Sequence, residues 1–174
     1  MPDDRLDHIA AQWRGERPDL DVAALELVGR LLRAATLADA ALARGLRAHE
    51  LQTGWFDLLA ALRRAGRPYE LNPTQLMSAT MLSSGGMTKR LDRLAEAGLI
   101  ERRPDPADRR GVLVRLTPRG MAVIDRAVED HMANEERLLR SLSAPNRRAL
   151  DDLLRKLLAA LEEEPRPEPD HGGP

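Results

Sequence analysis

Apolar residues recur three or four positions apart over most of this chain, and the interruptions of that rhythm mark its elements. A short helix is predicted from about Asp4 to Arg14, closed by Gly15 and the Pro18 that follows. A longer one runs from about Asp21 to Arg47, with Val22, Leu25, Val28, Leu32, Ala35 and Leu42 near one face. A third, from about Gly54 to Arg64, presents Trp55, Leu58, Leu59 and Leu62 and stops at Gly66 and Pro68. Asn72 before Pro73 is the pattern of an N-cap with proline at the first helical position, opening a helix to about Thr80. After a break at Met81 to Ser84, a second helix takes Ser83 or Ser84 as its cap and ends at Gly98. Two short helices joined by a tight turn form a helix-turn-helix.

Beyond Gly98 the rhythm changes to that of strands. The segments LIERR and VLVRL flank PDPADRRG, whose prolines, acids and glycine suit an exposed hairpin tip, the wing of a winged helix. Thr117 and Pro118 repeat the cap-plus-proline device and open a long helix to about Ser141. Ser143 caps a last helix on which Leu150, Leu153, Leu154, Leu157, Leu158 and Leu161 form a continuous stripe. Such a stripe packs within its own chain or on a second copy, and the amphipathic character of the other long helices favours a helical dimer. The expected fold is mainly α with a small β-hairpin wing: a winged helix-turn-helix with a helical dimerisation region. Its parts are an extra N-terminal helix and first dimerisation helix (1–52), the winged domain (53–116), the C-terminal dimerisation helices (117–164) and a linker-like, disordered tail (165–174).

Composition agrees with helices: 43% of the 174 residues are apolar but only 2% are aromatic, and the core rests on Leu and Ala. There is no cysteine, which excludes disulfides, zinc ribbons, thiol nucleophiles and cysteine-based oxidant sensing. No segment approaches the length of a membrane span and the first residues lack the apolar run of a signal peptide, so a cytoplasmic, membrane-free protein is expected. No phosphate-binding glycine loop, nucleophile elbow or paired zinc-binding histidines occur, so neither an enzyme nor a cofactor is expected. His131 and Glu135, four apart on one helix face, leave a metal role open beside an ordinary helix pair.

The formal net charge of −1 conceals an asymmetry. From Ser84 to Arg119 nine basic residues face five acids, whereas the stretch from Glu162 onward is strongly acidic. Local charge sets the attraction to phosphate. Projected from Met87, residues Leu91, Leu94 and Gly98 share the inward side of the second helix, which leaves Ser84, Gly85, Thr88, Lys89 and Arg93 on or beside the outward face. In the wing, Asp108 and Arg110 alternate on an extended segment beside Arg109, so the carboxylate can hold an arginine aimed at the minor groove. Each feature alone also fits a solvated surface; together they point to double-stranded DNA. A winged-helix module whose partner is a protein is the rival, and steep salt dependence distinguishes the two.

From Leu82 to Gly120 the chain reads LSSGGMTKRLDRLAEAGLIERRPDPADRRGVLVRLTPRG, and its D-x-R followed by V-x-L-T-x-x-G resembles the MarR family of bacterial winged-helix regulators. The resemblance implies a homodimer built from the first and last helices that represses from a palindromic operator, with recognition helices roughly 34 to 36 Å apart. An N-terminal helix bearing Trp13, an acid at Asp57 and an arginine at Arg90 are similar to the urate-responsive branch of that family. In that branch the matching residues line a pocket for an anionic planar ligand, so Trp13, Asp57 and Arg90 are the expected effector site. Arg90 also lies about 60° from the apolar stripe and so points along the flank toward the body of the protein. Trp13 as a clamp for the extra helix, and a purely structural Asp57 to Arg90 ion pair, remain alternatives.

Overall fold

The computed structural model describes residues 4–80, 86–108 and 111–163. The chain divides into two compact units, Met1–Glu135 and Glu136–Pro174. The elements, in order, are α1 (Arg5–Glu16), α2 (Ala23–Leu46), a 3₁₀ turn (Arg47–His49), α3 (Thr53–Arg64), β1 (Glu70–Leu71), α4 (Pro73–Ala79), α5 (Met87–Glu96), β2 (Ile100–Pro104), β3 (Val112–Leu116), α6 (Pro118–Leu138) and α7 (Ala144–Glu163). Mainly helical, with a small antiparallel sheet in the order β1-β3-β2, the fold is the expected winged helix-turn-helix.

In the first unit everything is organised around α3. Leu58, Leu59 and Leu62 are wholly buried, and they meet Leu76 of α4, Leu91 and Leu94 of α5, Val114 of β3 and Ile124 of α6 in one cluster. The sequence pattern placed Trp55 on the buried face. Instead Phe56 is buried and Trp55 packs half-buried at the edge of the cluster. The reason is that α3 is covered on nearly all sides, with Ala60 and Ala61 buried as well, so no single stripe defines its inward side. Strand β1 is a further addition to the sequence picture: two residues, paired through Glu70 with Arg115 and Leu71 with Val114. It is too short to show alternation.

The N-terminal helix docks on α2. Asp4 caps it, accepting from the backbone N–H groups of Leu6 and Asp7, while the Asp7 carboxylate accepts from the Asp4 N–H. Arg30 of α2 reaches back to both carboxylates, and Arg14 pairs with Glu26. Leu6 lies directly over Gly29, where a Cβ would clash with its Cδ1. The Arg30 guanidinium, with the two backbone donors of the cap, lowers the Asp4 carboxyl to about 2 from its ordinary 3.8.

Where β3 passes into α6, four segments converge. Thr117 caps α6: its Oγ1 accepts the Gly120 N–H (2.9 Å) and donates to the Gly98 carbonyl (2.7 Å) at the end of α5. Its own N–H donates to the Leu99 carbonyl (3.1 Å). At Gly120 a Cβ would collide with that same Leu99 carbonyl oxygen. The T-x-x-G pattern of the sequence is therefore a joint between α5, β2, β3 and α6.

In the second unit Ser143 Oγ accepts from the Asn146 N–H (3.4 Å), as its position before α7 predicts. Arg147 pairs with Glu136 (2.5 Å) and donates to the Leu142 carbonyl (3.1 Å). No described residue of α7 is buried, and Leu153, Leu158 and Leu161 are more than half exposed. On α2, Leu27, Val28, Leu32 and Leu37 are likewise exposed. Among the described residues no helix is long and apolar enough to cross a membrane.

Two outcomes follow from the packing. Gly120→Ala, placing a methyl against backbone, is expected to lower stability by about 3 kcal/mol, measured from the urea midpoint. Because the Asp4 carboxyl titrates lower when folded than unfolded, its contribution to docking α1 is complete above about pH 4 and is lost as pH falls toward about 2. In a Trp55→Phe variant, Trp13 fluorescence should change over that acid range, and Arg30→Ala should remove the dependence.

Candidate nucleic-acid interface

Helix α5 has two well-separated faces. Met87, Leu91 and Leu94 are buried at 5%, 3% and 0% exposure, while Thr88, Lys89, Arg93 and Glu96 are exposed. Among the described residues, neither Lys89 nor Arg93 has a carboxylate within ion-pair distance. Asp92 is half-buried and binds Arg102 of β2 at 2.7 Å, tying the helix to the hairpin. The helix closes as expected at Gly98, whose φ of +68° lets the Leu99 N–H turn back to the Leu94 carbonyl (3.0 Å).

The start of α5 differs from the serine-capped expectation. Its N-cap is Gly86 with φ +82°, a conformation that favours glycine, and the first helical residue is Met87. Ser84 and Gly85 lie outside the described residues, as does Ser83. Upstream, α4 is capped as predicted: the Asn72 side chain accepts from the Gln75 N–H, and Gln75 accepts in return from the Asn72 N–H, both at 2.9 Å.

The hairpin β2–β3 pairs Ile100 with Leu116 through to Pro104 with Val112. Its tip is closed by backbone bonds from Asp105 N–H to the Gly111 carbonyl (3.0 Å) and from Gly111 N–H to the Asp108 carbonyl (2.8 Å). The Asp105 carboxylate also accepts the Ala107 N–H at 2.8 Å. A side chain at Gly111 would press on the Cβ atoms of both aspartates at 3.0–3.1 Å, which accounts for the glycine at that point of the motif. Asp108 is exposed; Arg109 and Arg110 lie outside the described residues.

The three expected effector residues occupy different surroundings. Arg90 is half-buried and lines a hollow of about 160 Å³ with Gln52 and Trp55 at the start of α3 and with Lys89 and Arg93 of its own helix. Asp57 is half-buried on α3; burial raises its carboxyl, while His131 and Arg64 act in the opposite direction. Trp13 is 44% exposed on α1. A second cavity, about 450 Å³, lies between α3 and α6 and is lined by Phe56, Arg63, Arg64, His131 and Glu135 among others. The His131 ring packs on Phe56 with centroids 4.4 Å apart and its Nε2 stands 3.2 Å from Glu135. Its Nδ1 is buried with no hydrogen-bond partner among the described residues. The i, i+4 spacing of His131 and Glu135 signalled this pair in the sequence, but not its burial against Phe56. No group of three or more metal-binding side chains occurs among the described residues.

Comparison with known proteins gives one consistent answer. A MarR family model matches residues 49–111. The HTH-type transcriptional regulator PecS of Dickeya dadantii is 43% identical over 84% of this chain and 88% of its own length. Among solved structures, a mutant MarR from E. coli complexed with operator DNA is 28% identical with a TM-score of 0.67, covering 84% of this chain and 97% of that one. Bordetella bronchiseptica BpsR, studied for regulation of its DNA binding by 6-hydroxynicotinic acid, is 31% identical with a TM-score of 0.66, covering 75% and 91%.

The geometry at the start of α5 predicts a modest effect for Gly86→Ala. Among the described residues a Cβ there would meet only the Arg90 guanidinium, at an ordinary 3.6 Å, so the cost is that of the left-handed backbone, about 1 kcal/mol by urea denaturation.

Proposed function

We propose that this chain, which belongs to the MarR family of winged-helix transcriptional regulators, acts as a homodimeric repressor that leaves a palindromic operator when a small anionic ligand binds. It is a family of regulators, not of enzymes. The observation that carries the DNA-binding part is the outward face of α5, where Thr88, Lys89 and Arg93 are exposed above a buried apolar face and, among the described residues, neither cation has a carboxylate within ion-pair distance. We assign these residues, with Ser84 and Gly85 before them, to base edges and phosphates in the major groove, and Asp108, Arg109 and Arg110 to the wing's contact with the minor groove. The operator-bound E. coli MarR supports this assignment. The partition into 1–52 and 117–164 for dimerisation and 53–116 for DNA binding goes with it, as does a cytoplasmic location. A second copy covering the exposed leucines of α2 and α7 supplies the reason those stripes exist.

For the ligand we propose Trp13, Asp57 and Arg90 as the responsive residues, with a urate-like purine or aromatic acid as the class. The likeness to PecS and to BpsR, whose DNA binding 6-hydroxynicotinic acid regulates, supports an aromatic anion. The place of Arg90 in its hollow supports a guanidinium handle, because an anion drawn to it acts on α5 directly. The raised Asp57 carboxyl, set beside His131 and Arg64, supports a site whose charge changes when a ligand displaces solvent.

Mobility shifts on operator DNA selected from a random pool test the first part. Lys89→Ala or Arg93→Ala should weaken binding by about 1–3 kcal/mol, and Arg110→Ala should also weaken it while the dimer persists. Affinity should fall steeply with salt; a flat response points instead to a protein partner. For the ligand, tryptophan fluorescence titrated with urate, xanthine and 6-hydroxynicotinic acid should saturate and track operator release. No saturable change, with operator binding unaffected, removes the effector from the proposal.

A further inference from the structure

The face of the sheet turned away from the buried Val114 and Leu116 carries a row of charges that neither the DNA contacts nor the effector residues use. In the strand register Arg115 of β3 stands between Glu70 of β1 and Glu101 of β2. Glu70 is already answered: Arg103, two residues along β2 from Glu101 and so on the same face, reaches it at 3.4 Å. Arg115 and Glu101 are left directly opposite one another, and among the described residues neither has an ion-pair partner. Both line one cavity of about 360 Å³. Tyr69, Thr117, Pro118 and Met121 supply its other walls, so an apolar side runs beside the charged pair.

The walls are held by the main chain. The Tyr69 carbonyl accepts the Leu116 N–H at 3.1 Å, and the Arg63 guanidinium stands 5.2 Å from the centre of the Tyr69 ring. Tyr69 itself takes φ 63°, a left-handed backbone that a tyrosine adopts only where its surroundings enforce it. Thr117 is the residue that joins Gly98, at the end of α5, to the first turn of α6. The N-terminus of this 21-residue helix adds partial positive charge to the cavity.

We propose that this cavity binds a free α-amino acid with a large aliphatic side chain, and that occupancy raises operator affinity. The carboxylate lies on Arg115, the ammonium on Glu101 and the side chain against Tyr69, Pro118 and Met121. Directly opposed residues of an antiparallel pair have Cβ atoms about 4.5–5.5 Å apart, a spacing that two charges carried on a single carbon answer together. A simple acid or a simple amine answers only one of them. Such a ligand ties β2, β3 and the start of α6 across the joint that sets the direction of α5. It therefore favours the arrangement that registers with the groove, and ligand and DNA strengthen each other's binding. The ligand site stands on this cavity alone; only the coupling rests on the DNA-binding function proposed above.

Calorimetry of the full-length protein at low salt, without DNA, tests the site with L-leucine, with 4-methylpentanoate, which lacks the ammonium, and with 3-methylbutylamine, which lacks the carboxylate. Leucine should bind saturably and about tenfold tighter than either analogue. Glu101→Gln should abolish the preference over 4-methylpentanoate, and Arg115→Gln the preference over 3-methylbutylamine. Glu101 is exposed, so its variant decides the matter even if Arg115→Gln does not fold. Absence of saturable heat, equal affinity for leucine and 4-methylpentanoate, or an unchanged preference in Glu101→Gln overturns the site. On operator DNA, leucine should tighten binding about threefold in the unmodified protein and not in Glu101→Gln. Leucine binding with unchanged or weakened operator affinity overturns the coupling, and failure to bind any operator while leucine still binds counts against the DNA-binding function instead.

Discussion

The contact on which this structure most depends is between backbones: the first turn of α6 lies so close to the Leu99 carbonyl that residue 120 has no room for a side chain. Thr117 completes the joint by donating to the Gly98 carbonyl and accepting the Gly120 N–H. In the space of a few residues the end of α5, the start of β2, the end of β3 and the start of α6 are held together by groups with almost no conformational freedom. Long side chains could hold the same elements near one another, but with rotamer freedom that lets each tilt. Here the direction of α5 is set relative to the hairpin and to α6 by the main chain itself, which is what a helix that must register with a groove requires.

Charge has a division of labour across the same molecule. Arg30, Arg63, Arg102 and Arg147 are each spent on a carboxylate of a neighbouring segment, and they join α1 to α2, α3 to α6, β2 to α5 and α7 to the end of α6 respectively. Such exposed pairs contribute little stability individually and serve better as positional ties. Among the described residues Lys89 and Arg93 are not spent in this way, so their charge stays available for phosphate. The near-zero net charge of the whole chain is thus no obstacle to DNA binding, because the segment from Ser84 to Arg119 carries nine basic residues against five acids.

What could be read from the sequence was whatever had a local cause. Asn72 with Pro73, Ser143 before α7, Gly98 after α5 and the 3.6-residue stripe of Met87, Leu91 and Leu94 are each decided within a few residues, and each appears where its signal stood. The place of Arg90 on the flank of α5 was legible for the same reason, being a matter of helical phase. Its neighbours were not: Trp55 lies some distance back along the chain, and only tertiary packing brings it to Arg90. Phe56 displaced Trp55 from the core because a helix buried on nearly all sides has no single polar face to reveal its phase. The beginning of α5 was misjudged because a serine is the commoner cap, whereas this turn uses the left-handed freedom of Gly86.

Helix α3 gives the effector question its physical form. The hollow holding Arg90 and Trp55 lies at its N-terminal end, and the cavity holding His131 and Glu135 lies along its α6 side, with Asp57 on the helix between them. The leucines of α3 are in direct contact with those of α5, wholly buried and close-packed. An interior of that density shifts as a body, not atom by atom. A ligand in the cavity on the α6 side of α3 therefore need not touch the DNA-facing residues to displace them. It needs only to move one buried helix, because the apolar face of α5 packs in the same cluster as the leucines of α3.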